Sequence, residues 1–419
     1  MRKTEILSKS ILLADIEKMA DFYDQLVFLN SNDTRSISYL ALGNKEEFVA
    51  TSNKVFDGLK SFIDFHQDWA FGYLGYDLKN EVEPSLSSNN TDPLFFPEVH
   101  FFVPEIVLEI TVDFVKIHFV EEKEKERFLS VLDQNDQKTT KKTEKVKFKQ
   151  RMSKDNYEQR FEAIREHIQQ GDIYEMNFCH EFYAENVELH PFDTFTKLNK
   201  LTSAPFSTFY RNKDQYILCG SPERYIKKEG DKIITQPIKG TAKRGKTPEE
   251  DDAIKLALSK NEKERSENIM IVDLVRNDLS KTAIKASVKV EELCKVYSFE
   301  TVHQMISTVT SEIDKTTHPV EVLRTTFPMG SMTGAPKVEA MKIIEEIETT
   351  KRGIYSGAIG YFKPNQDFDF NVVIRSLLYN QETKYLNFMV GGAITSKANA
   401  EDEYEETLLK AEAMIESLK

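Results

Sequence analysis

Short strand-like segments follow one another across tight turns in the middle of the chain, and this pattern leaves few folds open. Tyr216 to Cys219, Tyr225 to Lys228 and Lys232 to Thr235 look like short strands, and Ser221-Pro222 and Gly230-Asp231 separate them. Short strands with such turns between them pair as antiparallel hairpins. This region therefore predicts an antiparallel sheet.

Further strand-like runs lie on both sides of this region. Trp69 to Tyr76 is aromatic and punctuated by glycine, which predicts a buried strand, and Phe101 to Val120 alternates well enough for two strands. Tyr355 to Phe362 and Asp369 to Leu378 are expected to form strands around the Pro364-Asn365 turn. Strands are thus expected along the whole length of the chain.

Amphipathic segments between the strand-like runs predict helices. Tyr157 to Gln170 has apolar residues at helical spacing and is followed by Gly171, a common C-terminal helix cap. Asn261 to Leu279 and Ala400 to Leu418 are also expected to be helical, and so is 333–348, with its first residue as the N-cap. This mixture of strands and helices indicates the α/β (α+β) class.

Composition describes an ordinary globular protein with an acidic surface. The chain has 419 residues, which suits one large domain or two intimate ones. Hydrophobic residues make up 40% and charged residues 30%. The formal net charge of −13 argues against nucleic acid as a partner, because phosphate backbones bind basic surfaces. An anionic substrate would have to be held by a local cationic pocket.

The sequence contains no signal for secretion or membrane insertion. Asp15 and Glu17 interrupt the apolar N-terminal stretch, which therefore does not form a signal peptide. No uncharged apolar run approaches the roughly 18 residues that a membrane-spanning helix needs. The cysteines are far apart and form no C-x-x-C pair: Cys179, Cys219 and Cys294. We expect a cytoplasmic protein with reduced thiols.

A polar stretch divides the chain. Lys, Glu, Gln and Thr dominate between Glu121 and Lys149, which indicates a solvated surface connection. We therefore expect an N-terminal segment at 1–132, a polar linker at 133–149 and a C-terminal region at 150–419.

Carboxylates on two of the predicted helices are candidate metal ligands. Glu403, Glu406 and Lys410 share one stripe of the C-terminal helix, beside its apolar face. Spacing alone favours a solvated charged face with helix-stabilising pairs, and the alternative is a site for a metal and an anion. Glu267 borders an apolar run on another helix, where a carboxylate is usually only an amphipathic edge. Mg²⁺ binds a few carboxylate oxygens, so both helices offer ligands.

Two further residues have an ordinary and a catalytic interpretation. Lys239 lies between apolar Ile238 and Gly240. Most lysines are solvated, but a desolvated one would be a nucleophile. A lone histidine such as His303 is more often structural than catalytic. The glycine-rich segments in this half of the chain fit neither the phosphate-loop nor the dinucleotide-binding pattern.

Taken together, a series of strings resembles the chorismate-utilising enzymes, a family that includes anthranilate synthase component I and the isochorismate and salicylate synthases. The strings occur in family order between residues 171 and 407, and GYLGY (72–76) extends the match into the first half. The others are GDIYEMNF (171–178), SPERY (221–225), PIKGTAKRG (237–245), SENIMIVDLVRNDL (266–279), TVHQMIST (301–308), FPMGSMTGAPKVEAM (327–341), RGIYSGAIGYF (352–362), NVVIRSLL (371–378), GGAI (391–394) and EDEYEET (401–407). The resemblance implies a sandwich of two large antiparallel-rich sheets with flanking helices and the active site between them.

The resemblance also implies how substrate and metal are held. Glu267 and Glu406 match Mg²⁺ ligands, with Glu403 nearby, and the metal would bind the carboxylate on the chorismate ring. Tyr355 and Arg375 match positions that hold the pyruvyl carboxylate, and an arginine fork suits this task. The remaining implied substrate-binding residues are Gly240, Thr241, Gly391, Gly392 and Lys410.

Lys239 selects among the family's reactions, because most members of the anthranilate and isochorismate type carry alanine there. The resemblance implies that its amine attacks C2 of chorismate while the 4-hydroxyl leaves, protonated by Glu223, and that ammonia then attacks C4 and expels the lysine. We expect a desolvated pocket beside Mg²⁺ to lower the pKa of Lys239. His303 matches a histidine linked to proton handling at the pyruvyl group, where pyruvate is retained in this reaction.

Glu175 departs from the family pattern. Water-using relatives carry a lysine there and ammonia-using relatives usually carry glutamine, so isochorismate and salicylate formation are disfavoured. Glu175 either favours a cationic or amine nucleophile or points away from the site. The L-L-E-S string that binds tryptophan in anthranilate synthases is also absent.

Amination of chorismate at C4 is therefore the leading expectation, as a step towards p-aminobenzoate and folate. No glutamine amidotransferase module is fused to the sequence, so a separate amidotransferase subunit is expected to supply ammonia. The alternatives are anthranilate synthase component I, which aminates C2 and expels pyruvate, and a non-catalytic chorismate-binding regulatory subunit.

Overall fold

The computed structural model describes residues 2–50, 54–134 and 146–419, so most of the predicted linker lies outside the described residues. The strands are β1 (Lys3–Leu7), β2 (Gln25–Asn30), β3 (Ser38–Leu42), β4 (Glu46–Ala50), β5 (Ala70–Leu74), β6 (Val99–Val103), β7 (Ile106–Ile110), β8 (Val115–Phe119), β9 (Lys149–Gln150), β10 (Glu175–Ala184), β11 (Phe206–Asn212), β12 (Gln215–Ser221), β13 (Arg224–Glu229), β14 (Lys232–Gln236), β15 (Ile238–Lys243), β16 (Lys289–Ser298), β17 (Val302–Glu312), β18 (Gly334–Ala335), β19 (Ala358–Phe362), β20 (Phe368–Asn371), β21 (Ser376–Asn380) and β22 (Tyr385–Thr395).

Helices connect these strands and cover the outer faces. They are α1 (Leu13–Phe22), α2 (Val55–His66), α3 (Lys79–Val82), α4 (Glu122–Leu132), α5 (Lys154–Gln170), α6 (Pro191–Thr202), α7 (Pro248–Lys260), α8 (Glu262–Ser280), α9 (Pro319–Thr326), α10 (Lys337–Ile347) and α11 (Ala400–Glu416), with short 3-10 turns at Tyr76–Leu78 and Gly330–Met332. None of the helices in the described ranges is both long and apolar enough to cross a bilayer.

The strands form two large sheets, as the resemblance implied. One sheet has 12 strands in the order β1-β8-β7-β3-β2-β11-β12-β21-β22-β10-β18, with β9 beside β10. The other has 10 strands in the order β15-β17-β14-β13-β20-β19-β5-β6-β4, with β16 beside β17. Strand pairing crosses the expected boundary between the two segments, because β2 pairs antiparallel with β11 and β5 with β19. The N-terminal and C-terminal segments therefore share both sheets.

The core lies between the sheets. Tyr39 on the first sheet and Tyr361 on the second have ring centroids 4.6 Å apart, and Tyr73 and Tyr210 are 5.3 Å apart. Such close aromatic pairs bury large apolar areas and fix the spacing of the layers. A second apolar cluster packs α1, α4, α6 and α11 against the outer face of the larger sheet. The fold is thus a helix-flanked sandwich.

Sequence periodicity located the long helices well. The helix expected over 261–279 is α8, whose Asn261 side chain caps the backbone N–H of Glu264. The helix expected over 157–170 is α5, which ends at Gly171 with a φ of 87°. The expected C-terminal helix is α11. In all three, a continuous apolar stripe packs on the sheets.

Four local expectations are wrong. Residues 122–132 form α4 instead of a solvated connection, because Phe128, Val131 and Leu132 are buried. The helix expected from Thr333 begins only at Lys337, because 330–336 forms a 3-10 turn and then pairs with β10.

The two other errors concern strand boundaries. Residues 101–120 take part in three strands, β6, β7 and β8. The strand expected over 369–378 is split into β20 and β21, and Arg375 lies between them with a φ of 50°. A positive φ is incompatible with a continuous strand.

Candidate active site

Lys239 and Glu175 form a buried ion pair between the two sheets. Lys239 is the second residue of β15 in the smaller sheet, and Glu175 is the first residue of β10 in the larger one. Nζ of Lys239 donates to Oε1 of Glu175 at 3.0 Å, and the two side chains are 12% and 2% exposed. Glu175 therefore points towards the lysine.

Carboxylates surround the amine of Lys239. Burial alone lowers the pKa of this lysine, but Glu175 and Glu267, with a smaller contribution from Glu223, together raise it above the ordinary value. The protein's own groups therefore raise this pKa, and the lowered pKa that we expected beside Mg²⁺ stays a prediction. An opposite charge nearby favours the ammonium form more strongly than desolvation opposes it. Lys239 rests as an ammonium group and needs a proton acceptor before it can act as a nucleophile.

Glu223 lies in the turn between β12 and β13 and is buried. Burial raises its pKa to about 7, although a hydrogen bond from Ser331, the charge of Lys239, the backbone of Ile238 and the charge of Arg375 all oppose the shift. A carboxyl group with this pKa holds its proton in a large fraction of molecules at neutral pH. It is therefore suited to general acid catalysis.

Arg375 is a desolvated cation close to Glu223. Burial lowers the pKa of Arg375, and the charge of Glu223 raises it. Within the described ranges, its guanidinium group has no hydrogen-bond or ion-pair partner. Arg375 is half-buried, and its free donors are available to bind an anion such as a carboxylate.

Helices α8 and α11 bring four carboxylates to the same region. Glu267 on α8 is 7% exposed, and burial raises its pKa to about 7, helped by the charges of Glu175 and Glu264 and opposed by Lys239. The Oε1 atom of Glu267 is buried without a hydrogen-bond partner in the described residues. Burial and the charge of Glu406 on α11 raise the pKa of Glu264. Neighbouring carboxylates thus oppose the ionisation of Glu267 and of Glu264.

Two lysines hold the carboxylates of α11. Nζ of Lys263 lies 2.8 Å from Oε1 of Glu403, and Nζ of Lys410 lies 2.8 Å from Oε1 of Glu406. Lys410 also donates to the carbonyl oxygen of Gly391 at 2.7 Å. Burial opposes ionisation of Glu406, but Lys410 and the other nearby lysines keep its pKa below the usual value.

The carboxylate oxygens on α8 and α11 are suitable ligands for a hard cation, although the side chains do not lie close enough together to hold one. Among residues 2–50, 54–134 and 146–419, no three His, Cys, Asp or Glu side chains lie close enough together to hold a metal ion. The unpaired buried oxygen of Glu267 and the raised pKa of the same residue nevertheless indicate a missing positive charge. Carboxylate oxygens on two helices are the ligands that Mg²⁺ prefers.

Glycines allow the backbone to approach these carboxylates. Gly240 has a φ of 87°, and a Cβ atom there would lie 3.0 Å from Oε2 of Glu264. A Cβ atom on Gly392 would lie 3.1 Å from Oε2 of Glu403. Thr241 follows on β15 and is exposed at its edge. Larger residues at the two glycine positions would displace the carboxylates.

A family model described as chorismate binding enzyme matches residues 24–416. The chain belongs to this family. It is 33% identical over 376 residues to aminodeoxychorismate synthase component 1 of Bacillus subtilis, which covers 85% of this chain and 78% of the relative.

One further relative and one solved structure are also similar to this chain. The probable chloroplastic aminodeoxychorismate synthase of Oryza sativa is 40% identical over 273 residues, which are 64% of this chain but only 30% of that relative's length. A crystal structure of anthranilate synthase component I from Streptococcus pneumoniae superimposes with a TM-score of 0.81 at 28% identity, covering 90% of this chain and 92% of that one. The expected family and fold are thus confirmed.

Both ring nitrogens of His303 have hydrogen-bond partners within the protein. Its Nε2 lies 2.9 Å from Oδ1 of Asp251, and its Nδ1 lies 3.0 Å from Oγ of Ser298. Because a carboxylate only accepts hydrogen bonds, Nε2 is the donor to Asp251. His303 is fully buried and connects β17 to α7. A role for it at the substrate stays a prediction.

Tyr355 is buried against the larger sheet. Its hydroxyl group lies 3.6 Å from Sγ of Cys179, and burial raises its pKa well above the usual value, so it remains neutral. The preceding Arg352 is held by Glu348 at 2.6 Å and donates to the backbone oxygen of Asn177 at 2.8 Å. This buried pair fixes the turn that carries Tyr355.

Sequence reasoning missed Arg352, Glu264 and Lys263. Glu264 lies three residues before Glu267 on one helix face, the same spacing that singled out Glu403 and Glu406, so the signal was present. Lys263 had no local signal, because its partner is 140 residues away.

A separate cavity of about 530 Å³ lies between the sheets. Leu29, Pro205 and Tyr361 are among its lining residues, and none of the predicted site residues contributes to it. Size alone would favour this cavity as a binding site, but it lacks the cluster of perturbed ionisable groups found around Lys239. We therefore place the candidate active site at Lys239.

Proposed function

We propose that this protein acts as aminodeoxychorismate synthase component I. In this role it converts chorismate and ammonia to 4-amino-4-deoxychorismate, the precursor of p-aminobenzoate in folate synthesis, with Mg²⁺ as cofactor. The names of the Bacillus and rice relatives support this assignment. The observation that carries it is the buried Lys239 amine, which faces Glu175 and lies near Glu223 and Glu267.

A lysine nucleophile needs such surroundings. With an ordinary pKa of about 10.4, a lysine is neutral in roughly one molecule in a thousand near pH 7.4, a handicap of about 4 kcal/mol. Lys239 is more strongly protonated still, but it has a carboxylate acceptor at hydrogen-bond distance. The amine attacks C2 of chorismate, and the two ring double bonds shift so that the C4–O bond breaks.

Glu223 supplies the proton for the leaving hydroxyl group. Its pKa of about 7 leaves it protonated often enough to act near neutral pH. The 4-oxygen departs as water, ammonia then forms the C4–N bond, and the lysine leaves C2 as the amine. Atoms balance as chorismate plus ammonia giving aminodeoxychorismate plus water.

Cationic and neutral donors would hold the two carboxylates of the substrate. Arg375 offers a guanidinium fork close to Glu223, and Tyr355 offers a neutral hydroxyl donor. Lys410 and the backbone at Gly391 and Gly392 lie beside the carboxylates of α11. We assign Arg375 and Tyr355 to the pyruvyl carboxylate. We assign Lys410 and the backbone at Gly391 and Gly392 to the carboxylate on the ring.

The metal would be held by Glu267 and Glu406, with Glu403 and Glu264 nearby. When bound, Mg²⁺ would neutralise these carboxylates and bind the ring carboxylate of chorismate. The chain's own residues then orient the ring so that C2 faces Lys239. A cation at Glu267 would also offset the burial and the repulsion by Glu175 and Glu264 that raise the pKa of this residue.

Ammonia is expected to come from a separate glutamine amidotransferase subunit. The bacterial relatives are named component 1, which supports a second component. Free ammonium would replace that subunit in a purified system.

A product assay tests the proposal. Incubation with chorismate, Mg²⁺ and ammonium should accumulate 4-amino-4-deoxychorismate, with anthranilate absent. Direct formation of anthranilate would identify anthranilate synthase component I, and the S. pneumoniae structure keeps that alternative in view. No turnover, even with an active glutaminase, would favour a regulatory subunit; the grouping of Lys239 with Glu223 and Glu267 argues against it.

A further inference from the structure

Glu175 is held rigidly at the meeting point of three strands. Its backbone pairs with Thr395 on β22 and with Ala335 on β18. The approach of β18 is so close that a Cβ atom on Gly334 would lie 2.2 Å from the backbone oxygen of Glu175. The backbone of Glu175 is therefore held in place, and the residue is only 1% exposed.

The two carboxylate oxygens of Glu175 differ in their contacts. Oε1 accepts from Nζ of Lys239 at 3.0 Å, whereas Oε2 is buried without a partner among the described residues. A structural ion pair in a protein interior is normally completed by further donors to both oxygens. An incomplete one leaves acceptor capacity directly beside the nucleophile.

Several carboxylates interact with the charge of Lys239, and two of them, Glu264 and Glu406, belong to the cluster that we assign to the metal. Glu267 approaches from α8, Glu223 from the turn after β12, and Glu175 from β10. In the proposed function Glu267 serves the metal and Glu223 protonates the leaving group. Glu175 is the remaining carboxylate, and it alone accepts a hydrogen bond from Nζ in the described ranges.

We propose that Glu175 is the general base that takes the proton from the Lys239 ammonium group and so frees the amine that attacks chorismate. This inference rests on the proposed function. One N–H bond of Lys239 breaks, and its electron pair stays on nitrogen while the proton moves to Glu175. The C2–N bond then forms from that pair. When ammonia later expels the lysine, protonated Glu175 returns the proton to the departing amine.

The alternative is that Glu175 is only a counterion, and the two roles predict opposite effects. The negative charge of Glu175 raises the pKa of Lys239, so Glu175→Gln increases the fraction of neutral amine at neutral pH. If Glu175 is only a counterion, the variant forms the covalent adduct faster. If Glu175 is the base, the variant forms it more slowly although more amine is neutral.

The experiment measures both quantities on the full chain. Competitive labelling with an amine-reactive acylating reagent across pH reports the titration of Lys239, with exposed Lys397 as internal standard. Rapid mixing with chorismate and Mg²⁺ in the absence of ammonium, followed by mass spectrometry, reports adduct formation. Glu175→Asp keeps a carboxylate in a shorter side chain. Glu185→Gln removes an exposed carboxylate just beyond the same strand and serves as the charge-matched control.

The expected result is a divergence of the two measurements in Glu175→Gln. Lys239 labels faster at neutral pH, adduct formation falls by about 100-fold or more, and chorismate affinity stays within about twofold of the wild type. Glu175→Asp retains an intermediate rate, and Glu185→Gln behaves like the wild type. Adduct formation that is unchanged or faster in Glu175→Gln overturns the assignment.

Failure of the proposed function has a different signature. If the wild type forms no adduct and no 4-amino product while Lys239 still titrates as expected, the chorismate chemistry fails and the role of Glu175 fails with it. If the wild type forms the adduct and Glu175→Gln forms it equally fast, only the role of Glu175 is lost.

Discussion

Lys263 reaches from α8 to α11 and places its Nζ 2.8 Å from Oε1 of Glu403. Glu403 is almost fully buried, whereas the Lys263 side chain is 41% exposed. Burial lowers the pKa of Lys263, but Glu403, Glu267 and Glu406 together raise it. An ammonium group thus supplies the positive charge at a cluster that we assign to Mg²⁺.

We expect Lys263→Met to bind Mg²⁺ more tightly than the wild type, because the metal no longer competes with a lysine for Glu403. A partly exposed ion pair is worth about 0.5–1 kcal/mol, so the affinity should rise by roughly twofold to fivefold. Isothermal titration calorimetry with Mg²⁺ measures it. Lys154→Met is the matched control, because Nζ of Lys154 on α5 lies 3.0 Å from Oε1 of Glu401, an exposed residue of α11. Weaker binding by Lys263→Met would show that the lysine organises the site.

Glu267 makes the metal-free protein sensitive to pH. Burial raises its folded-state pKa from 4.5 to about 7, so its contribution to stability is fully present below pH 4.5 and is lost as pH rises to 7. Glu267→Gln should therefore increase the free energy of unfolding at pH 8 by about 1–3 kcal/mol and leave it unchanged near pH 4.5. Urea unfolding titrations in the presence of a metal chelator measure this free energy at each pH. A loss of stability at pH 8 would be inconsistent with an uncompensated charge.

The same variant tests metal dependence. Glu267→Gln removes one of the two proposed ligands, so product formation should no longer respond to Mg²⁺ in the range that saturates the wild type. Activity is followed at increasing Mg²⁺ with ammonium as the nitrogen source. An unaltered Mg²⁺ titration curve would count against Glu267 as a ligand.

Glu223 should make the rate of Lys239 adduct formation fall at high pH, which gives the pH profile a descending limb. Its pKa of about 7 means that the proton-donating form disappears as pH rises through 7. We expect the rate of Lys239 adduct formation to decline above this pH and Glu223→Gln to lower it by about 10²–10⁴-fold without that limb. Rapid-quench mass spectrometry across pH 6–9 provides the measurement. A rate that keeps climbing to pH 9 in the wild type argues for another proton donor.

The buried pair of Arg352 and Glu348 should dominate local stability. Removing one partner leaves an uncompensated buried charge, so Arg352→Met should destabilise the fold by about 3–5 kcal/mol. The double change Arg352→Met with Glu348→Leu should cost less than this single change. Denaturant unfolding compares the variants. Equal stability of Arg352→Met and the wild type would remove the structural role.

The sequence predicted those parts of the fold that depend on local periodicity. In α8 and α11 the apolar residues recur at helical spacing over many turns, so tertiary packing and local preference agree. Helix α4 escaped prediction because lysine and glutamate dominate its composition, while a few residues such as Phe128 anchor it. The break at Arg375 escaped because a positive φ at arginine has no signature in the sequence.

The candidate site could likewise be predicted only in part from the sequence. Motif strings identified the separate carboxylates and Lys239, but the pairing of Lys239 with Glu175 joins strands of different sheets, 64 residues apart. Contacts of that kind depend on how the sheets pack. The direction in which the protein's own groups shift the pKa of Lys239 depends on them too, because the nearby carboxylates outweigh desolvation.

The central claim is that Lys239 bonds covalently to the chorismate ring during turnover. We would mix the protein with chorismate and Mg²⁺ without ammonium, quench it, digest it and sequence the modified peptide by mass spectrometry. The account predicts a chorismate-derived adduct, minus water, on Lys239 that disappears with formation of the 4-amino product when ammonium is added. Product formation from ammonium with no adduct on Lys239 at any time would contradict it.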